Sequence, residues 1–227
     1  MAGDRDLAVA LVSGGMDSAV VAAMVCRDHE PAFLHLDYGQ RTEARERRAF
    51  EAIADHYKVE RRLVSRVDPL AAAGGSSLTD VSMPLSESRG GPSVIPTTYV
   101  PFRNTHFLSA AVSWGEVLGA RWIYYGAVEE DSSGYPDCRE RYIEAFNRLI
   151  EAGTRPETRL TVVAPLVHLR KAEIVREGMR LSAPFHLTWS CYGEQERACG
   201  ECESCRLRLK GFREAGIEDP IPYRGGA

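Results

Sequence analysis

The chain has 227 residues, of which 44% are hydrophobic, and a formal net charge of −4 at pH 7. This length can bury the core of one ordinary domain and leaves room for a small appendage. The negative charge argues against broad electrostatic binding to a large nucleic acid, so we expect no stable nucleic-acid partner. No apolar stretch is long enough to span a bilayer and the start resembles no secretory signal, so we expect a cytoplasmic protein without a membrane segment.

The first predicted elements are a strand over residues 7–12 and a helix over 16–28, joined by a turn with two glycines. The strand is short and apolar, and the helix has apolar residues at helical spacing. Gly14 and Gly15 allow the backbone to approach a ligand at the positive end of the helix dipole, where phosphates bind. Nearby hydroxyls would add hydrogen bonds, and Asp17 would hold Mg²⁺ on the phosphates. A simple helix N-cap is the competing interpretation.

The turn lacks the Walker pattern of P-loop NTPases. As Ser13-Gly14-Gly15-Met16-Asp17-Ser18 it instead resembles the PP-loop of the ATP pyrophosphatase superfamily. That resemblance implies that ATP is a co-substrate together with Mg²⁺, and that it is usually cleaved between its α- and β-phosphates. The residues expected to bind ATP are Leu11, Val12, Ser13, Gly14, Gly15, Met16, Asp17 and Ser18.

Predicted strands and helices alternate along the rest of the chain. Right-handed crossovers between parallel strands place helices on both faces of a sheet. The pattern therefore predicts an α/β fold with a doubly wound, mainly parallel five-stranded sheet, which is Rossmann-like and binds ligands at the carboxyl ends of its strands. The further strands are expected at 31–37, 62–65, 122–125 and 160–164, and the further helices at 42–57, 105–119, 139–150 and 171–180.

Two regions depart from this alternation. Residues 68–101 are rich in Gly, Ser and Pro with little periodicity, which predicts a long loop that is either a lid over a ligand or disordered. We divide the chain into an ATP-binding domain over 1–188 and a cysteine-containing tail over 189–227.

The tail carries Cys191, Cys199, Cys202 and Cys205 within fifteen residues. Such clusters bind metal more often than they form disulfides when no secretory signal is present. Four thiolates suit a closed tetrahedral Zn²⁺ site, which is structural because no position remains open for substrate. An Fe–S cluster is the alternative, although no Cys-Pro follows Cys205. We predict one structural Zn²⁺ per chain.

Beyond the PP-loop, the chain resembles the 7-cyano-7-deazaguanine synthase family of the queuosine pathway nearly end to end. The matching segments are 36–41, 100–104, 129–139, Pro165-Leu166, Lys171, Leu207-Arg208, Gly211-Phe212 and the four cysteines. The resemblance implies a fold of the adenine nucleotide alpha hydrolase type, a structural zinc, and conversion of 7-carboxy-7-deazaguanine, ammonia and ATP to the nitrile through adenylated intermediates. Related enzymes imply a homodimer.

Within these segments we expect Asp17, Lys171 and Arg103 to act in catalysis. Lys171 is notable because lysine otherwise occurs only at Lys58 and Lys210, although a helix cap would also explain it. Arg103 could instead pair with a surface acid. The expected substrate-binding residues are Asp137, Asp131, Tyr135, Arg103, Asn104, Gln40 and Arg41.

Asp137 is the preferred acceptor for adjacent N–H donors of the deazaguanine, with Asp131, Glu129 and Glu130 as alternatives. Either Tyr135 or Phe102 would stack on the base, unless each only packs in the core. Two other functions keep the phosphate loop: a PP-loop tRNA-modifying enzyme, which the negative charge disfavours, and a non-catalytic nucleotide-binding module.

Overall fold

A computed structural model describes residues 5–85, 95–129 and 134–225. Its five strands form one parallel sheet in the order β3-β2-β1-β4-β5. The strands are β1 (Leu7–Leu11), β2 (Glu30–Asp37), β3 (Arg62–Arg66), β4 (Trp122–Tyr124) and β5 (Thr161–Val163). The helices are α1 (Met16–Asp28), α2 (Glu43–His56), α3 (Asp68–Ala73), α4 (Arg103–Leu118), α5 (Glu140–Gly153), α6 (Lys171–Arg180) and α7 (Glu203–Ala215).

The strand order reverses at β1, which pairs with β2 on one side and with β4 on the other. In register, Val9 of β1 lies between Ala32 of β2 and Ile123 of β4. A reversal of this kind opens a crevice at the carboxyl ends of the central strands. The turn that follows β1 therefore lies at the position where a ligand is expected.

Side chains of β1 alternate between the two faces of the sheet, as strand geometry requires. Val9 and Leu11 belong to a core that includes Leu108 of α4 and Phe146 of α5. Ala8 and Ala10 face the opposite core, which α1 and α2 cover. Small alanines on that face let α1 lie close to the sheet, so the start of α1 is held firmly beside the end of β1.

The predicted fold is confirmed: the five strands are parallel, and helices cover both faces of the sheet. Two helices escaped prediction. The six-residue α3 begins the segment 68–101 and is too short to show a helical period, and α7 lies in the tail. Of this segment, residues 86–94 lie outside the described part. In that part no helix is both long and apolar enough to cross a bilayer.

The tail packs against the main sheet domain through α7. Arg208 of α7 is fully buried and donates two hydrogen bonds to the carboxylate of Asp219, at 2.7 and 2.8 Å. It also donates to the hydroxyl of Thr188 at 2.7 Å. A buried, bidentate pair of this kind is costly to break because it would leave an uncompensated charge inside the protein. The division of the chain at residue 188 stays a prediction.

Candidate active site

Residues 13–18, called here the phosphate cradle, turn sharply from β1 into α1. Gly14 has φ +87°, and a Cβ there would lie 2.6 Å from the carbonyl oxygen of Glu46. Only glycine fits this close approach. The hydroxyl of Ser18 donates to the carbonyl of Gly15 at 3.0 Å, and the amide of Trp189 donates to the carbonyl of Gly14 at 2.8 Å. The cradle is thus fixed from both sides, with the start of α1 directed at the ligand.

Asp17 and Lys171 form the main ion pair of the site. The Nζ atom of Lys171 donates to Oδ2 of Asp17 at 2.6 Å, although 154 residues separate the two in sequence. Lys171 is only 8% exposed. The second carboxylate oxygen of Asp17 is buried and has no hydrogen-bond partner among the described residues. A buried, unsatisfied carboxylate oxygen is costly, which suits it to a cation such as Mg²⁺.

The tail helix holds Lys171 in place. Gly211 of α7 lies so close to the start of α6 that a Cβ on it would stand 2.8 Å from the Cβ of Lys171. Glycine at this position therefore lets α7 pack directly against the backbone that carries the lysine. The sequence pattern places Gly211 in the tail but does not indicate that it contacts Lys171.

A cavity of 290 Å³ opens at the carboxyl ends of the strands and contains the predicted site residues Gln40, Arg41, Arg103, Asn104 and Tyr135. This volume is near the lower end of the range for small-molecule sites. Apart from Gly14, the residues expected to bind ATP also line it. Lining residues that were not predicted from the sequence include Glu46, Tyr125, Trp189, Tyr192 and Arg208.

Arg103 begins α4 and is directed into the cavity. Its guanidinium lies 5.5 Å from the ring centres of both Tyr38 and Phe107, and it donates to the Tyr38 hydroxyl at 3.3 Å. Aromatic faces stabilise a cation without neutralising it. Among the described residues Arg103 forms no ion pair with an acid, so the surface-pair alternative finds no partner there.

A second group of residues, called here the base end, consists of the lining residues Asn104 and Tyr135 together with Asp137, which binds Asn104. The backbone amide of Asn104 donates to Oδ2 of Asp137 at 3.0 Å, and its side chain donates to the Asp137 carbonyl at 3.2 Å. The Tyr125 hydroxyl donates to the same carbonyl at 2.9 Å. The Oδ1 atom of Asp137 is buried without a described partner. Asp137 does not itself line the cavity, whereas Tyr135 and Cys138 beside it do.

The polar groups of Gln40 and Arg41 form hydrogen bonds within the protein. Gln40 accepts from the amide of Tyr38 at 2.8 Å and donates to Glu46 at 3.1 Å. Arg41 donates to the carbonyl oxygens of Ser77 and Asp80, at 2.7 and 2.8 Å, and also to that of Met83. The structure thus gives Arg41 a role in holding the loop around residues 77–83 against the cavity.

Tyr135 connects the base end to the tail. Its hydroxyl lies 2.9 Å from the Thr98 hydroxyl, which donates to Glu203 at 3.4 Å. Burial raises the pKa of Tyr135, so its hydroxyl keeps its proton. Glu203 directly follows Cys202, so the cysteine cluster and the wall of the cavity share a hydrogen-bonded chain.

The four cysteines of the tail form one cluster. Their Sγ atoms all lie within 4.8 Å of one another, and those of Cys199 and Cys205 are 3.9 Å apart. Tetrahedral Zn–S bonds of about 2.3 Å place sulfur atoms roughly 3.8 Å apart, so the donor set fits such an ion. The amides of Glu201 and Cys202 donate to Cys199 Sγ at 3.4 and 3.3 Å.

The remaining residues considered from the sequence have different outcomes. Asp131 and Glu130 lie outside the described residues. Phe102 is 58% exposed at the start of α4 and does not line the cavity, so of the two predicted stacking residues Tyr135 is the one that lines it. Glu46 carried a usable signal, since an acid in the first turn of a helix that follows a strand end lies near the ligand side of the sheet.

Comparisons with known proteins agree with this geometry. The model of the family described as "Queuosine biosynthesis protein QueC" matches residues 7–216. A protein of Chlorobium chlorochromatii named 7-cyano-7-deazaguanine synthase is 56% identical over 217 residues, which is 95% of each chain. A protein of Acidobacterium capsulatum with the same name is 56% identical over 224 residues, 96% of this chain and 97% of its own.

Among solved structures, an NAD⁺ synthetase from Burkholderia pseudomallei aligns with 94% of this chain and 75% of its own, at 13% identity and a TM-score of 0.48. That likeness is too slight to bear on function.

Proposed function

Because the chain belongs to the family of the queuosine biosynthesis protein QueC, we propose that its cavity converts 7-carboxy-7-deazaguanine, ammonia and ATP into 7-cyano-7-deazaguanine. The observation that carries this proposal is one cavity with two chemically different ends. The phosphate cradle and Lys171 occupy one end, and Asn104 and Tyr135 occupy the other. A reaction that joins a nucleotide to a heterocyclic acid needs both.

The first half of the proposed reaction makes an amide. A carboxylate is a poor electrophile, so one of its oxygens attacks the α-phosphorus of ATP, and pyrophosphate leaves. Ammonia then adds to the acyl carbon, and AMP departs with the electrons of the C–O bond. The protein contributes positioning and charge stabilisation.

The second half removes the remaining oxygen in the same site. The amide oxygen attacks the α-phosphorus of a second ATP, pyrophosphate leaves again, and the adenylated carbon–nitrogen unit then loses AMP and both N–H protons to give the nitrile. Because both halves place an oxygen next to the α-phosphorus, one phosphate cradle serves both steps. The overall reaction therefore releases two AMP and two pyrophosphate for each nitrile.

The residues divide these tasks. Amides of the cradle and Lys171 would hold phosphate oxygens, because a helix start and a buried ammonium both attract anions. Asp17 fits a Mg²⁺ ion through its unsatisfied oxygen, and that ion would neutralise phosphate charge. Arg103 would stabilise negative charge on the acid or on the α-phosphate. Asp137, next to the lining residue Cys138, would accept an N–H group of the deazaguanine through its unpartnered Oδ1.

The cysteine cluster is proposed to hold one structural Zn²⁺ through Cys191, Cys199, Cys202 and Cys205. Four protein ligands leave no position for substrate, so the ion would fix the fold of the tail. Metal analysis of the purified protein should find about one zinc per chain and no visible absorption. A brown protein that contains iron and sulfide would overturn the assignment. A cytoplasmic location and a homodimer stay predictions.

The proposed function is tested by mass spectrometry of a reaction of the purified protein with 7-carboxy-7-deazaguanine, an ammonium salt, ATP and Mg²⁺. We expect the nitrile, a transient amide, and AMP as the nucleotide product. A reaction without ammonium should release pyrophosphate and form the acyl adenylate, without nitrile. Formation of ADP alone, or no turnover of the acid, would contradict the proposal.

A further inference from the structure

Glu46 is an acid in the cavity that the proposed steps do not use. It lies in the first turn of α2, and in the described part of the chain Asp17 and Glu46 are the acidic residues that line the cavity. Asp17 is neutralised by Lys171 at 2.6 Å. Glu46 has a different environment, because its two oxygens accept hydrogen bonds from neutral groups.

Those hydrogen bonds fix the Glu46 carboxylate without compensating its charge. Oε1 accepts from the Thr42 hydroxyl at 2.7 Å, and Oε2 accepts from the Gln40 amide at 3.1 Å. A carboxylate offers about four acceptor sites, so room remains on both oxygens. No basic side chain among the described residues forms an ion pair with it. Arg103 on α4 and His35 on β2 are the cationic or titratable groups whose charges act on it from neighbouring elements.

We propose that Glu46 is the ammonium site of the enzyme: its carboxylate binds NH₄⁺ in the cavity and accepts one proton, which releases NH₃ next to the acyl adenylate. This inference rests on the proposed function, because it concerns the ammonia that the first half-reaction consumes. A partly buried carboxylate without a counter-ion attracts a small cation, and ammonium is the cation that this chemistry requires.

The proton balance supports a base at this place. Ammonia in neutral water is mostly ammonium, which has no lone pair to attack with. One N–H bond breaks and its proton goes to Glu46, and the freed lone pair forms the C–N bond while the C–O bond to AMP breaks. A second proton leaves the nitrogen with the departing AMP, which gives the neutral amide. Burial raises the pKa of Glu46 above its ordinary value, which makes it a better proton acceptor.

The test compares Glu46→Gln with Glu43→Gln in the full-length protein. Glu43 lies in the same turn of α2, but it pairs with Arg66 at 3.0 Å and does not line the cavity. Glutamine keeps the size of Glu46 and removes the charge. Hydrogen bonds to charged groups contribute roughly tenfold to a hundredfold in binding, so the KM for ammonium should rise by about that factor in Glu46→Gln. The KM for ATP should change less than about twofold.

Two further readouts separate this role from a structural one. The variant must take free ammonia from solution, so its rate should rise about tenfold per pH unit near neutrality, more steeply than in the wild type. Hydroxylamine is uncharged at pH 7 and needs no counter-ion, so hydroxamate formation should lose much less than amide formation.

An unchanged KM for ammonium, or equal losses with hydroxylamine and ammonium, would overturn the ammonium site. A wild-type protein that forms neither hydroxamate nor amide would instead refute the proposed function. Circular dichroism and pyrophosphate release without a nucleophile check that Glu46→Gln is folded and still activates the acid.

Discussion

The two ends of the cavity are built in opposite ways. The phosphate cradle consists of six consecutive residues whose positions follow from β1, α1 and one glycine with a positive φ. The base end brings together side chains from separate segments, among them Thr98, Asn104, Tyr135 and Asp137. Backbone therefore shapes the first end, and hydrogen bonds between distant side chains shape the second.

This difference corresponds to two kinds of recognition, one for phosphates in general and one for a particular second substrate. A backbone cradle recognises phosphates, which are common to all nucleotides, and its geometry tolerates few changes. A wall of side chains sets the identity of the second substrate and can be altered one hydrogen bond at a time. Substitutions at the two ends should accordingly affect different kinetic constants.

The largest effect is expected for Lys171→Met, which removes the ammonium group from the phosphate end. It should lower kcat by about 10²- to 10³-fold, the range found when one group that stabilises a developing charge is removed. AMP formation by the purified variant measures this. Lys58→Met, the same change at an exposed lysine, is the control. A decrease in kcat of less than about fivefold would show that catalysis at the phosphate cradle does not depend on Lys171.

An intermediate effect is expected for Asp137→Asn at the base end. A hydrogen bond to a charged group contributes about 1.5–3 kcal/mol, so the KM for 7-carboxy-7-deazaguanine should rise roughly tenfold to a hundredfold. The KM for ATP should stay the same, because the residues proposed to bind ATP phosphates lie in the cradle and at Lys171. Steady-state kinetics in both substrates measure the two constants. Asp55→Asn on the surface is the control, and equal effects on both substrates would refute base recognition.

The smallest effect is expected for Thr98→Val, which removes the hydroxyl between Tyr135 and Glu203. The bond between the Thr98 and Tyr135 hydroxyls is the one that touches the cavity wall, and a neutral bond of this kind contributes about 0.5–1.5 kcal/mol, so the KM for the deazaguanine should rise by about two- to tenfold. Thr161→Val, at an exposed position of β5, is the matched control. If the variant instead changed the KM for ATP, the two ends of the cavity would not be independent.

The sequence predicted the parts of the molecule that depend on local pattern. Alternating apolar segments revealed the sheet and its helices, and the glycine turn and the cysteine spacing revealed the sharp turn into α1 and the cysteine cluster. The cysteine cluster is local too, since its four cysteines span fifteen residues.

The parts that escaped prediction depend on contacts between distant residues. The first turn of α2 places Glu46 near the ligand side of the sheet, but nothing in the sequence indicates that its carboxylate has no counter-ion. Arg41 looks like a ligand for an anion, yet its guanidinium binds carbonyl oxygens some forty residues further along the chain. Such roles follow from tertiary packing and become visible only in three dimensions.

The close packing of Gly211 against Lys171 has a consequence for how the protein is made. Synthesis proceeds from the N-terminus, and the parts made first generally fold first. The cradle and all five strands leave the ribosome before α7, which spans Glu203–Ala215. Lys171 packs against Gly211 only when α7 docks. A chain that stops before α7 therefore lacks the packing contact that positions Lys171.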